Sequence, residues 1–306
     1  VPTTVKVGDY TYEHVEGWGD FPRGGVVSDV ATDSQDRVYA CVRLKQGPDG
    51  NEGEIWVFDR HGKLLDRWGA DFLEVPHGLF IDSDDFLYHA DAGDHTVRKF
   101  TADGKPLMVL GTAGEKGPPD MPFHSPTNPT IATSGDLYVS DGYEQNRCHC
   151  FSATGELKFS WGSGDPVYYE QAVTGTTTGV AGVGPGEFNL PHGIVTDDSG
   201  KVYVIDRENN RVQVFNAMGE YITEWNDVPG GNDGVIDENG VMHIATGPGA
   251  IILKSLDGQT VGTWGERGEA AGQFDGYPHG IWLDSNGDVY VAQVGAQLAL
   301  DKFARV

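Results

Sequence analysis

Three histidines of this chain sit in one local pattern, between a proline and a glycine: His77 in VPHG, His192 in LPHG and His279 in YPHG. Three neutral imidazoles that leave one coordination position open form the donor set of a catalytic zinc, with Zn–N bonds of about 2.0–2.1 Å. Other divalent transition metals that accept imidazole suit the same donors. A lone histidine in such a segment is ordinarily a rim residue of the core. Three at one position of a repeat, in every second repeat, are not explained by packing, which acts on all repeats alike.

The elements that must position them repeat along the chain. From Phe188 the sequence FNLPHGIVTDDSGKVYVIDRENNRVQVFNAMGEYITEW reads as four strands separated by short turns. Val202 to Ile205 and Val212 to Phe215 alternate with the two-residue period of half-buried strands. The plan recurs from Pro76, Asn128 and Pro278, and less clearly near Val27 and Asn232, giving six units of roughly 40 residues. The last unit stops after its third strand at Lys302-Phe303. Residues 10–19 (YTYEHVEGWG) match the closing strands GKLLDRWG, GELKFSWG and GQTVGTWG. The expected architecture is therefore all-β, a six-bladed β-propeller forming one domain over residues 1–306. The N-terminal strand completes the blade that starts near Pro278, which removes exposed edges. In such a ring the start of each first strand lies at one mouth of the axial channel. Alternate blades stand about 120° apart, which brings the three imidazoles together. The counterparts in the other blades fall near Ser28, Pro129 and Asn232, none a good metal ligand.

Composition agrees. Among 306 residues, 44 glycines and 16 prolines suit short strands and turns, and seven tryptophans supply core. A formal charge of −25 repels polyphosphate and excludes nucleic acid as the natural partner. No apolar run is long enough to span a bilayer, so no membrane partner is expected. The chain begins at Val1, which leaves a removed leader open. Cys148 and Cys150 share a strand face and are badly placed to bridge each other, and with Cys41 they suggest a reduced, cytoplasmic setting. The oligomeric state is left open.

Loops between second and third strands face the same mouth as the histidines. They carry Arg43 after VYACV, Tyr143 in SDGYEQNR with Arg147 beyond it, and Arg207 at the start of RENNR. Arg43 and Arg207 are the candidate clamp for a substrate carboxylate, since guanidinium offers paired donors and stays charged. Tyr143 is the candidate general base, activated by the cations beside it. Arg147, Arg211 and Asp206 read as structural turn partners. Residues 45–54 and 162–187 are insertions on the same side, read as a lid or pocket wall. The other histidines share no repeat position, and only His89 and His95 are within possible reach of the mouth.

The segments P-x-G-I-x-x-D, V-Y-V-x-D and N-R-V-Q-x-F, with a closing Trp-Gly, resemble the NHL repeat over nearly the whole chain. The PHG histidines taken with SDGYEQNR and DRENNRVQVF further resemble peptidyl-α-hydroxyglycine α-amidating lyase. That resemblance implies zinc held by His77, His192 and His279, Tyr143 as catalytic base, and Arg207 and Arg43 as substrate-binding arginines. It also implies cleavage of R–CO–NH–CH(OH)–COO⁻ to an amide and glyoxylate. Two family features are missing. Gly280 stands where the family places an aspartate that helps hold a structural calcium, so calcium is not carried over. Glu144 stands where it places a disulfide cysteine. The expected activity is a metal-dependent lyase acting on a small carbinolamide and releasing a carbonyl product such as glyoxylate. A metal-dependent hydrolase or hydratase using the same three histidines, and a non-catalytic NHL interaction platform, are the alternatives.

Overall fold

The second strands of the six units are the most apolar segments of the chain, and they fold as the middle of each blade. Leu87–Asp91, Leu137–Asp141 and Val202–Asp206 are buried at every position. The alternation near Val202 had suggested strands with one wet face. Instead each blade is covered on both faces by its neighbours, so both sets of alternating side chains are enclosed. Polar residues in the equally buried third strands are tolerated because they are bonded: Gln213, fully buried on Arg211–Phe215, donates to Glu187 O at 2.7 Å.

The computed structural model describes residues 3–19, 21, 26–45, 52–118, 121–162, 182–270, 272–295 and 300–306. Six antiparallel sheets form a ring. Their innermost strands are Val26–Thr32, Pro76–Ile81, Asn128–Ile131, Pro191–Thr196, Gly231–Ile236 and Tyr277–Leu283. Each packs on the next, and the sixth packs on the first. Blades one to five are four-stranded meanders.

Blade six is built from both ends of the chain. Tyr10–His14 pairs with Leu300–Arg305 and supplies the missing fourth strand. The expected segment 10–19 is a strand only to His14. Beyond it Trp18 leaves the sheet and packs on Phe58 and Tyr290 between blades six and one. A fifth strand, Thr4–Val7, pairs with Tyr10–His14 outside it. The sequence comparison missed this strand because no other unit has one.

Apolar clusters fill the spaces between blades. Cys41, Ile55 and Val57 of blade one meet Leu79, Leu87 and Phe100 of blade two. Burying a side chain of the size of Leu or Phe contributes about 1.5–3 kcal/mol. At the closure, Tyr10 and Tyr12 pack with Trp264 and Phe303, and the Tyr10 hydroxyl donates to Asp237 at 2.6 Å. Cys41, Cys148 and Cys150 are buried free thiols. Among the described residues no helix is long and apolar enough to cross a membrane.

Candidate metal centre

His77, His192 and His279 each occupy the extra residue of a bulge that opens a first strand. The pairing register shifts between Pro76 and Gly78, Pro191 and Gly193, and Pro278 and Gly280. A bulge re-aims its side chain, and here it turns the imidazole toward the axis. The three ring centroids lie 4.8, 4.8 and 4.7 Å apart, a nearly equilateral triangle. One ligand atom from each comes within 4.8 Å of the others, and all three residues are buried.

The backbone fixes which nitrogen faces the axis. His77 Nδ1 lies 2.7 Å from Thr127 O, His192 Nδ1 2.8 Å from Asn232 O, and His279 Nδ1 2.6 Å from Ser28 O. A carbonyl can only accept, so each Nδ1 carries the proton and each Nε2 presents a lone pair. The acceptors are the corresponding residues of the next blade. The counterpart in blade three is therefore Thr127, two residues ahead of the Pro129 near which the sequence placed it, and its N–H donates to Ser140 O just before the paired strand begins.

The residues that follow alternate as well. Glycine follows each histidine, whereas Asp29, Asn128 and Asp233 follow Ser28, Thr127 and Asn232. A Cβ at Gly78 would run into Thr127 O and Asn128 Cα, and one at Gly280 into the Asp29 carboxylate. Close approach of neighbouring first strands thus dictates the glycine of PHG. Gly78→Ala is expected to lower the unfolding free energy by about 1–3 kcal/mol, seen as an earlier urea midpoint; an unchanged midpoint would remove this account of the motif.

Three converging lone pairs are a donor set that could hold a metal ion. Tyr143 hydroxyl lies 2.8 Å from His77 Nε2 and 3.1 Å from His192 Nε2, and it has one proton to offer three lone pairs. Protons do not occupy these lone pairs at neutral pH. Burial, and then the charges of the neighbouring imidazoles, hold His77 well below the ordinary histidine range. Burial and then His279 do the same for His192. Burial and then Arg43 push His279 down to about 3. Neutral, converging imidazoles are the ligand form of histidine.

A pH dependence follows. Unfolded imidazoles bind protons near pH 6.5, and the folded ones only far below it, so metal-free protein loses stability as pH falls from about 6.5. Each of the three contributes about 1.4 kcal/mol per pH unit. The carboxyls of Asp29 and Asp233 act oppositely: burial and then Asp233 push Asp29 up, and burial raises Asp233 to about 7. Below about pH 6.5 each of these two carboxyls holds a proton that its unfolded form releases, so the pair offsets two of the three imidazoles and leaves a fall of about 1.4 kcal/mol per unit from this group. Urea unfolding of chelator-treated protein between about pH 4 and 6.5 measures the slope; a flat profile would contradict it.

Tyr143 is placed by its turn. A Cβ at Gly142 would run into Pro191 O, so only glycine lets the DGY turn lie against blade four. Beneath the turn, Asp141 accepts from His124 N at 2.8 Å, Gln145 Nε2 at 2.6 Å and His149 Nε2 at 3.2 Å, and His149 Nδ1 contacts Ser160 Oγ at 2.7 Å. Sequence reasoning gave His124 and His149 no part. Their only signal is the Asp-Gly-Tyr turn itself, whose aspartate needs buried donors.

Of the two candidate arginines, Arg207 approaches the Tyr143 ring, while Arg43 stands on the strand Val38–Lys45 and not in the loop beyond it. Arg207 opens a short 3-10 helix, Arg207–Asn209, and its guanidinium carbon lies 5.8 Å from the Tyr143 ring centroid. Its Nε donates to Glu208 at 2.9 Å. Arg43 Nε donates to Pro76 O at 2.8 Å, while its Nη2 is buried without a partner among the described residues. Burial lowers the Arg43 affinity for its proton, and Tyr143 is the foremost group opposing that. Arg147 reaches Gly162 O at 3.4 Å. Arg211 pairs with Asp206 at 2.8 Å and donates to Val183, Gly184 and Glu187 carbonyls, away from the histidines. His89 is wholly buried, and His95 Nδ1 accepts from Ser125 N. Residues 46–51 and 163–181, the centres of the two insertions read as lid or wall, lie outside the described residues.

Comparison with known proteins bears on both ring and site. The NHL-repeat family model matches residues 188–215, in blade four. Human "NHL repeat-containing protein 3" is 30% identical over 302 residues, covering 92% of this chain and 81% of that protein. "Peptidyl-alpha-hydroxyglycine alpha-amidating lyase 1" of Drosophila melanogaster is 34% identical over 171 residues, covering 54% of this chain and 30% of that protein. Among solved structures, a streptogramin B lyase superposes with a TM-score of 0.59 at 13% identity over 99% of this chain and 100% of its own, a likeness of fold.

Proposed function

The chain belongs to the NHL-repeat β-propeller family, and on that premise we propose that it is a metal-dependent lyase splitting a small α-hydroxy amide at its carbon–nitrogen bond. The observation that carries this reading is the convergence of three neutral imidazoles on one point beside the Tyr143 hydroxyl. Similarity to a protein named as an α-amidating lyase supports the same chemistry.

His77, His192 and His279 would hold the ion through Nε2. A divalent ion, zinc by the donor set, supplies Lewis acidity toward the carbinol oxygen when bound. Arg43, with a buried nitrogen free to bond, and Arg207 fix the substrate carboxylate and aim the carbinol at Tyr143. As the phenolate, its own proton having left once the imidazole lone pairs bind the ion, the tyrosine oxygen takes the carbinol proton. The carbon–nitrogen bond then breaks, its electron pair goes to nitrogen, and the carbon becomes an aldehyde. Tyr143 returns the proton to the nitrogen. R–CO–NH–CH(OH)–COO⁻ becomes R–CO–NH₂ and OHC–COO⁻, with no oxidant, reductant or water consumed.

The test pairs metal analysis with product analysis on N-benzoyl-α-hydroxyglycine. About one tightly held ion per chain and equimolar benzamide and glyoxylate are expected. Benzoate in place of benzamide would replace the lyase by a hydrolase. A second reading is a non-catalytic binding platform, since an NHL ring fixes a fold and not a reaction. Protein that holds no ion and turns over no carbinolamide would establish that reading.

A further inference from the structure

The opposite mouth of the channel, which the proposed reaction does not use, opens into a cavity of about 510 Å³. It runs from Asn128 and Asp233 on the axis outward between blades five and six to Tyr12 and Arg305. Its walls alternate in character. Ile131, Ile194 and Ile236 make apolar stretches, while Asp197, Asp198, Asp237, Glu238 and Asp284 stand around them; Arg305 lies 3.8 Å from Glu238, and Lys302, outside the lining, lies 3.8 Å from Asp284. Asp284 is pushed up by burial and then by Asp288, whereas Asp197 and Asp237 are held below the ordinary carboxylate range. Burial works against Asp197 and Asp237, but hydrogen bonds outweigh it, from Ser199 and Tyr203 to the first and from His243 and Tyr10 to the second. Phe80 and Trp282 meet edge to face in the wall, with ring centroids 5.6 Å apart. At the outer end the wholly buried Tyr12 has a hydroxyl with no partner among the described residues.

Carboxylates, aromatic faces and an unpaired hydroxyl at intervals along apolar walls suit several ammonium groups joined by methylene chains. An aromatic face attracts an ammonium by about 0.5–2 kcal/mol, and a buried hydroxyl without a partner is costly to leave so. We propose that this cavity binds an extended aliphatic polyamine. The methylene segments lie along the isoleucines, one ammonium faces Phe80 and Trp282 at the axis, and another meets Tyr12 and Glu238 outside.

Calorimetric titration with spermidine, at fixed ionic strength, tests it. Binding tighter than about 1 mM is expected, with magnesium far weaker. Tyr12→Phe should weaken spermidine about three- to tenfold. Because Tyr12 also packs in the closure, a second variant combines Asp198→Asn with Glu238→Gln on exposed turns, and is expected to weaken binding about threefold or more. Magnesium binding as well as spermidine, or spermidine binding equally to wild type and the double variant, would overturn the proposal.

Discussion

Replacing His192 with alanine is expected to strip the metal and end turnover together. The imidazole supplies one of three Nε2 lone pairs, held in place by its own Nδ1 bond to Asn232 O at 2.8 Å. Losing a mere outer partner of a metal ligand weakens binding by about 10- to 100-fold; losing the ligand itself should cost more. The two remaining imidazoles, 4.8 Å apart between centroids, still converge, so the variant should fold and show an ordinary thermal transition. Metal content after gel filtration and benzamide release on the same sample check the prediction. Retained turnover in metal-free variant would detach the chemistry from the three histidines.

Tyr143→Phe separates the proton transfer from the metal. The ring stays in its turn, because Gly142 against Pro191 and the Asp141 network, not the hydroxyl, hold it. The lost hydroxyl contacts two imidazole nitrogens at 2.8 and 3.1 Å but contributes no ligand to the set of three histidines. Metal content should therefore match wild type while kcat falls by about 10²- to 10⁴-fold, the usual worth of a positioned acid–base group. KM should change little on the proposal that Arg43 and Arg207 hold the carboxylate. Full activity in this variant would remove the tyrosine from the reaction.

Much of this site could be read from the chain because repetition turns position into geometry. His77, His192 and His279 occupy one repeat position in alternate blades, and sixfold symmetry alone brings them to one axis. The DGY and DREN turns were legible for the same reason, since loops of equal rank face the same mouth. What lies outside the repeat was not. The strand Thr4–Val7 has no equivalent in other units, and the Asp141–His149 contact, though it uses the repeat positions of Asp206 and Gln213, puts a histidine and its Ser160 partner there in blade three only.

The sequence by itself determined the ring and the number of imidazoles on its axis, because strand period, repeat length and residue identity are local properties. Only the tertiary structure decided which nitrogen of each ring faces inward, because that depends on a carbonyl contributed by the next blade. It also decided that Thr127, two residues before Pro129, provides one of those carbonyls, since strand register is a property of pairing. The same holds for the far cavity: its acids and aromatics come from blades distant in the chain, and only closure of the ring sets them around one space.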